Sequence, residues 1–212
     1  MSAIIIPRRH YTQPQGRADI AWENTITAGI VTVFNAGDLR DAVRVGTAQT
    51  TSIAAAGAFG GNQALVVDHS TPGYVKSPVA GRVGNSLTMF AVAARSRVDT
   101  SGQAVMSVGA GNQRHVLYDA LNKPALFSGN GGTYGQAIPA ASPMPAAGVP
   151  FVIAGRVFGS GSRDVWLNGD QVATDSTETF GVSGVDTAVM GAYWDNNSAT
   201  VPWSGNLWLA AL

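Results

Sequence analysis

A chain of 212 residues without a single cysteine excludes disulfides, thiolate metal sites and a cysteine nucleophile, so packing alone must hold the fold. Thirteen basic residues cancel thirteen acidic ones, which leaves no electrostatic footprint for a nucleic-acid backbone. Charged residues make up 12% of the chain, about half the ~25% of an average soluble protein, a composition that suits a surface covered by neighbouring subunits or a β protein rich in small residues.

The chain opens with Ile4, Ile5 and Ile6, followed by Pro7, Arg8, Arg9, His10 and Tyr11. Apolar residues ahead of basic ones reverse the order of a secretory signal, and the run is too short to span a bilayer. Folding in a cytoplasm, with no membrane partner, is therefore expected. Residues 1–27 also hold Gln13, Pro14, Gln15 and Gly16 and lack patterned apolar content, so they predict an extended arm, the alternative being that residues 1–14 are a frayed terminus. As an arm, Ile4 to Ile6 would add a strand to a partner's sheet edge. Pro7 and Tyr11 extend that anchor, and Arg8 and Arg9 would pair with acidic groups of the partner.

Residues 28–212 read as one β domain. Twenty-six glycines cut the chain into short apolar runs, and no window keeps helical spacing for three turns without Gly or Pro. A short strand is predicted at 64–68. Residues 86–97 follow, with Leu87, Met89, Ala91 and Ala93 on one side and Thr88, Phe90, Val92 and Ala94 on the other, a pattern expected of a central strand buried between layers. Further strands are predicted at 104–109, 114–119 and 125–128. Residues 129–150 carry four prolines and predict a long surface excursion. Residues 151–158 share the two-sided character of 86–97 and are expected beside them. In 163–175, Asn168-Gly169 supplies the two positive-φ residues of a type I′ turn, so a hairpin is predicted there. Strands at 188–193 and 207–212 complete about ten, the count of an antiparallel jelly-roll sandwich.

The chemistry-bearing residues are sparse. A glycosidase needs two carboxyl groups across the scissile bond, yet the two glutamates, Glu23 and Glu178, sit in unrelated contexts, and Asp164 and Asp170 flank a turn as solvated residues would. Ser160 lies in a Gly-Ser-Gly tract with no nucleophile elbow. His10, His69 and His115 are far apart. Asp68 with His69 reads as a polar strand end more readily than as a calcium site, and His115 reads as an outward strand residue. No catalytic residue, metal or cofactor is expected. Trp166, Trp203 and Trp208 read as core or layer-edge packing. The stretch Tyr193-Trp194-Asp195-Asn196-Asn197 differs, because two aromatics run into a polar loop. A flat ring beside carboxylate and amide groups suits a glycan contact; the alternative is that Trp194 closes the end of the sandwich.

Three segments, Arg163-Asp-Val-Trp-Leu-Asn-Gly-Asp-Gln-Val, Val189-Met-Gly-Ala-Tyr and Trp203-Ser-Gly-Asn-Leu-Trp-Leu-Ala-Ala-Leu, resemble the closing part of laminin-G-like, concanavalin A-like lectin domains. The likeness spreads over about residues 64–212. The opening, Pro7-Arg-Arg-His-Tyr-Thr-Gln-Pro-Gln-Gly-Arg-Ala-Asp-Ile-Ala-Trp-Glu-Asn with Thr27-Ala-Gly-Ile-Val, looks like that of tailed-bacteriophage virion proteins carrying such a domain. The resemblance implies a non-catalytic virion structural protein, assembled in the host bacterial cytoplasm. It would be a head decoration, fibre-base or accessory tail component, packing as a homo-oligomer against other capsid or tail proteins. Because the fold also hosts lectins, the alternative is a carbohydrate-binding module attached to bacterial surface glycans.

Overall fold

Glycine-punctuated apolar runs become strands throughout the computed structural model, which describes residues 33–35, 40–41, 49–51, 54–59, 62–68, 73–80, 83–98, 102–141, 144–159, 161–177, 180–182, 184–195 and 198–212. In chain order the strands are β1 (Val33–Asn35), β2 (Arg40–Asp41), β3 (Gln49–Thr51), β4 (Ala54–Phe59), β5 (Asn62–Val67) and β6 (Tyr74–Pro78). They continue with β7 (Leu87–Arg95), β8 (Gln103–Ala110), β9 (Gln113–Asp119), β10 (Pro124–Asn130), β11 (Thr133–Ala137) and β12 (Phe151–Val157). The last six are β13 (Arg163–Leu167), β14 (Asp170–Asp175), β15 (Thr187–Met190), β16 (Tyr193–Asp195), β17 (Ser198–Thr200) and β18 (Gly205–Ala211). No helix occurs among the described residues. The arm anticipated for residues 1–27, with Ile4, Ile5, Ile6, Pro7, Arg8, Arg9 and Tyr11, lies outside them, as does His69.

Two antiparallel sheets form the expected sandwich. The first runs β14-β13-β12-β7-β18-β1-β2, with β5 also on β18 and β4 on β5; the second runs β11-β10-β9-β8-β15-β6-β3. The two strands anticipated as neighbours do pair, from Phe151 opposite Ala93 to Val157 opposite Leu87. On β7, Leu87, Met89, Ala91 and Ala93 face the core, whereas Thr88 is exposed and Phe90 and Val92 are half-buried. This strand is thus covered fully on one face, not on both, because its second face is the outer surface of the sheet. Across the interior stand Met106, Val108, Leu117, Leu126 and Met190. Gly155 lets the sheets close, since a β-carbon there would stand 3.1 Å from both Leu117 and Leu126. At one end Trp203, fully buried, meets Phe151 edge-on at 6.1 Å.

The predicted turn is present: Asn168 and Gly169 have φ of 52° and 97° between paired Leu167 and Asp170. A second tight turn had no glycine to announce it, with Leu121 and Asn122 at φ 54° and 70°. Asp164 departs from expectation. It is buried, facing Arg156 across the β12–β13 ladder, and it ion-pairs with that guanidinium at 2.5 Å while accepting the Trp166 indole N–H at 3.0 Å. The aromatic rings of Trp166 and Phe158 both lie 5.1 Å from the Arg156 guanidinium.

Residues 129–150 are only partly an excursion. Thr133–Ala137 pairs with β10 as an edge strand, because its alternation buries Gly135 and Ala137 and exposes Tyr134 and Gln136. Residues 144–145 are pinned from within. Arg95, 2% exposed, donates to the carbonyls of Pro145 (2.8 Å) and Met144 (3.0 Å) and to the Asp119 carboxylate (2.9 Å). The other Asp119 oxygen accepts the Asn122 amide at 2.8 Å. A charge pair so deeply buried is tolerable only because hydrogen bonds surround it.

His115 is also inverted relative to the sequence reading. It shares an inward-facing row with Val108 and Ser128, is fully buried, and lies 3.0 Å from the Ser128 hydroxyl through Nδ1. Burial lowers its pKa to about 4, with the nearby Arg163 charge adding to the effect and the Gly181 backbone opposing it. Arg163 itself is fully buried, ion-paired with Asp175 at 3.3 Å.

Removing the cation from the first buried pair, in Arg95→Met, is expected to cost about 3–5 kcal/mol by urea unfolding. The double variant Arg95→Met/Asp119→Leu should recover much of that loss; a double variant no better than the single would contradict the analysis. The His115 shift sets a second expectation. The unfolded imidazole takes a proton near pH 6.5 and the folded one only near 4, so stability is full above about pH 6.5 and falls as pH drops toward 4, by about 3 kcal/mol in all. His115→Gln should flatten that part of the profile, and a slope identical to the parent's would assign it to other groups.

Candidate functional site

A short hairpin folded over the outer face of the second sheet creates the site. Gly191, at φ 90°, turns the chain out of β15, and its amide bonds the Val105 carbonyl at 2.8 Å. The Ser107 hydroxyl then donates to the Ala192 carbonyl and accepts the Trp194 amide, both at 2.9 Å, so one side chain of β8 clamps β16 onto the sheet. At the other end the Ala104 amide bonds the Val201 carbonyl at 3.0 Å. Trp194 is the apolar anchor: only 7% exposed, it packs on Val189 and Tyr74, with the Lys76 ammonium 5.1 Å from its ring.

Between this hairpin and the sheet lies a cavity of about 170 Å³ lined by Ala104, Val116, Tyr118, Phe127, Tyr193 and Val201. The lining follows from strand alternation. The inward residues of β9 and β10, Leu117 and Leu126, serve the core, so their neighbours Val116, Tyr118 and Phe127 must point outward. Phe127 stacks on the exposed Tyr134 ring at 5.5 Å and meets Tyr193 edge-on at 6.4 Å. Val201 lies at φ 45°, a left-handed conformation that a β-branched residue rarely adopts.

Polar groups gather at the rim. Arg114 forms a 2.6 Å ion pair with Asp195, and its guanidinium lies 5.9 Å from the Phe127 ring and 5.7 Å from that of Tyr193. The Tyr118 hydroxyl donates to Gln136 Oε1 at 2.9 Å. Burial pushes the phenol pKa of Tyr118 up to about 12, with Tyr134 adding to the rise. Burial does the same for Tyr193, to about 12, with Arg114 opposing and Asp195 and Tyr118 assisting. Both phenols therefore stay neutral and keep their hydroxyl donors through the physiological range.

The stretch singled out in the sequence is divided by this geometry. Tyr193 lines the cavity and Asp195 stands at its rim. Trp194 points the opposite way, as strand alternation requires, and serves the packing of the hairpin. Asn196 and Asn197 lie outside the described residues. Arg114, Tyr118, Phe127, Tyr134 and Gln136 were not anticipated: they come from three strands brought side by side by pairing, each an ordinary outward residue in its own run. No cluster of three or more potential metal ligands occurs among the described residues.

No protein-family model and no curated protein matches the chain. Solved structures do. Domain 4 of AbnA, a GH43 extracellular arabinanase from Geobacillus stearothermophilus, solved in complex with arabinotriose, superposes with a TM-score of 0.66 at 17% identity, over 86% of this chain and 90% of that one. A variant of the NanB sialidase from Streptococcus pneumoniae gives 0.51 at 14% identity, over 64% of this chain and 24% of that one. At these identities the likeness is one of fold, a β-sandwich shared with domains of carbohydrate-active proteins.

Proposed function

We propose that this chain is a non-catalytic carbohydrate-binding domain that holds a sugar ring in the cavity between Tyr118, Phe127 and Tyr193. The observation that carries the reading is the lining itself: aromatic rings for the apolar face of a sugar, with Tyr118, Gln136 and Asp195 at hand for its hydroxyls. An apolar pocket with a few convergent polar groups is the form binding sites take. The arabinanase domain of like fold, solved with arabinotriose, supports the same use of this scaffold. None of the six lining side chains carries a carboxylate, and Asp195 at the rim is engaged by Arg114. Glycoside hydrolysis would require two.

Calorimetric titration with arabinotriose and a panel of bacterial surface oligosaccharides tests the proposal. Saturable binding is expected, weakened about tenfold or more by Tyr193→Ala, on the ~1–3 kcal/mol scale of a single lost pocket contact. Trp194→Ala should instead lower thermal stability by undocking the hairpin. Silence across the whole panel would overturn the reading.

A second reading concerns where such a domain acts. We infer a place on a tailed-phage particle, supported by the likeness of the opening residues to virion proteins and by the neutral, charge-poor composition. Both readings hold together if the particle touches its host through this pocket. Deleting residues 2–14 should abolish incorporation into particles while leaving the thermal transition of the domain unchanged; normal incorporation would end the anchoring idea.

A further inference from the structure

Among the described residues, Arg114 and Asp195 stand charged at the rim of the cavity, and the way they are joined bears on which sugars can enter. Arg114 spends both terminal nitrogens inside the protein: Nη1 donates to Asp195 Oδ1 at 2.6 Å and Nη2 to the Gly131 carbonyl at 3.2 Å. Its planar group is held against Phe127 and Tyr193. Recognition of a sugar carboxylate depends on a guanidinium fork left open for two parallel hydrogen bonds. Here each terminal nitrogen already holds one partner, Nε is buried without one, and the carboxylate on Nη1, 34% exposed, presents negative charge toward the rim. An acidic sugar would lose water from its own carboxylate and meet a like charge.

A neutral sugar meets the opposite situation. Its hydroxyls both donate and accept, which matches an acceptor carboxylate at Asp195, an amide at Gln136 and a neutral phenol at Tyr118. Lys76 sits 5.1 Å from the Trp194 ring, and that indole faces away from the cavity lining. At about 170 Å³ the cavity is smaller than the ~300 Å³ at which pockets begin to enclose drug-sized ligands, so it takes one ring. Further residues of a chain would run out past the exposed Tyr134.

We propose, on the reading that this cavity binds sugar, that it selects neutral glycans over acidic ones, and that Asp195 is the residue that sets this selectivity by occupying Arg114.

Titrating the full chain with arabinotriose, lactose and sialyllactose tests it, the last two differing by one acidic sugar. A neutral ligand should bind, sialyllactose about tenfold or more weakly, and the neutral affinity should stay level from about 20 mM to about 500 mM NaCl. Asp195→Asn releases the guanidinium and should bring sialyllactose close to the neutral affinity, while Asp195→Glu should keep the parent's preference. Sialyllactose binding as tightly as lactose, or a steep salt dependence, would overturn the neutral selectivity and leave sugar binding standing. Selectivity unchanged in a folded Asp195→Asn would overturn the role of Asp195. Should the parent bind no sugar of either kind, the underlying reading fails and this inference with it.

Discussion

The buried ion pair between Arg95 and Asp119 joins the two sheets at one end of the sandwich, and much of the remaining geometry follows from it. Arg95 belongs to the larger sheet and Asp119 to the smaller. Their 2.9 Å contact fixes how the end of β9 sits over β7, while the same guanidinium gathers the backbone of Met144 and Pro145. Asp119 then holds the Leu121–Asn122 turn through the Asn122 amide. Desolvating two charges is costly, and each added hydrogen bond offsets part of it. The network therefore works as a register device: Tyr118, the outward neighbour of Asp119, can stand at the cavity only because Asp119 is held inward.

The same economy of alternation organises the whole second sheet. Along β9 and β10 the inward set is Leu117, His115, Leu126 and Ser128, and the outward set is Val116, Tyr118, Arg114 and Phe127. A slip of one residue in either strand would exchange core and site together. The site is thus the reverse side of the core, and its aromatic character costs the interior nothing. Covering it takes a separate piece of chain, the β16–β17 hairpin, fastened by Ser107 and by the Trp194 ring.

How far the sequence anticipates this depends on whether the signal is local. The β7–β12 pairing and the Asn168-Gly169 hairpin were legible because apolar runs and a two-residue turn signature are contained in a few adjacent positions. Thr133–Ala137 was hidden among glycines and prolines, since its partner β10 supplies what its own composition lacks. His115 was misplaced outward because polarity alone does not reveal an inward hydrogen-bond partner such as Ser128. Of the cavity, Tyr193 and Asp195 were noticed as aromatic and acidic neighbours. Their partners Arg114, Tyr118 and Phe127 come from strands far earlier in the chain, 81 residues away for Arg114 and Asp195, and become visible only through the ladder.

Val201 joins conformational strain to the shape of the cavity. A β-branched residue in the left-handed region costs of order 1–3 kcal/mol, and here that residue both lines the pocket and lends its carbonyl to Ala104. Glycine or asparagine would relax the backbone and, by the same stroke, widen or polarise the wall. Relief of backbone strain and a change in the cavity wall are consequently tied to one position, so a single substitution there would strengthen the scaffold and reshape its pocket together.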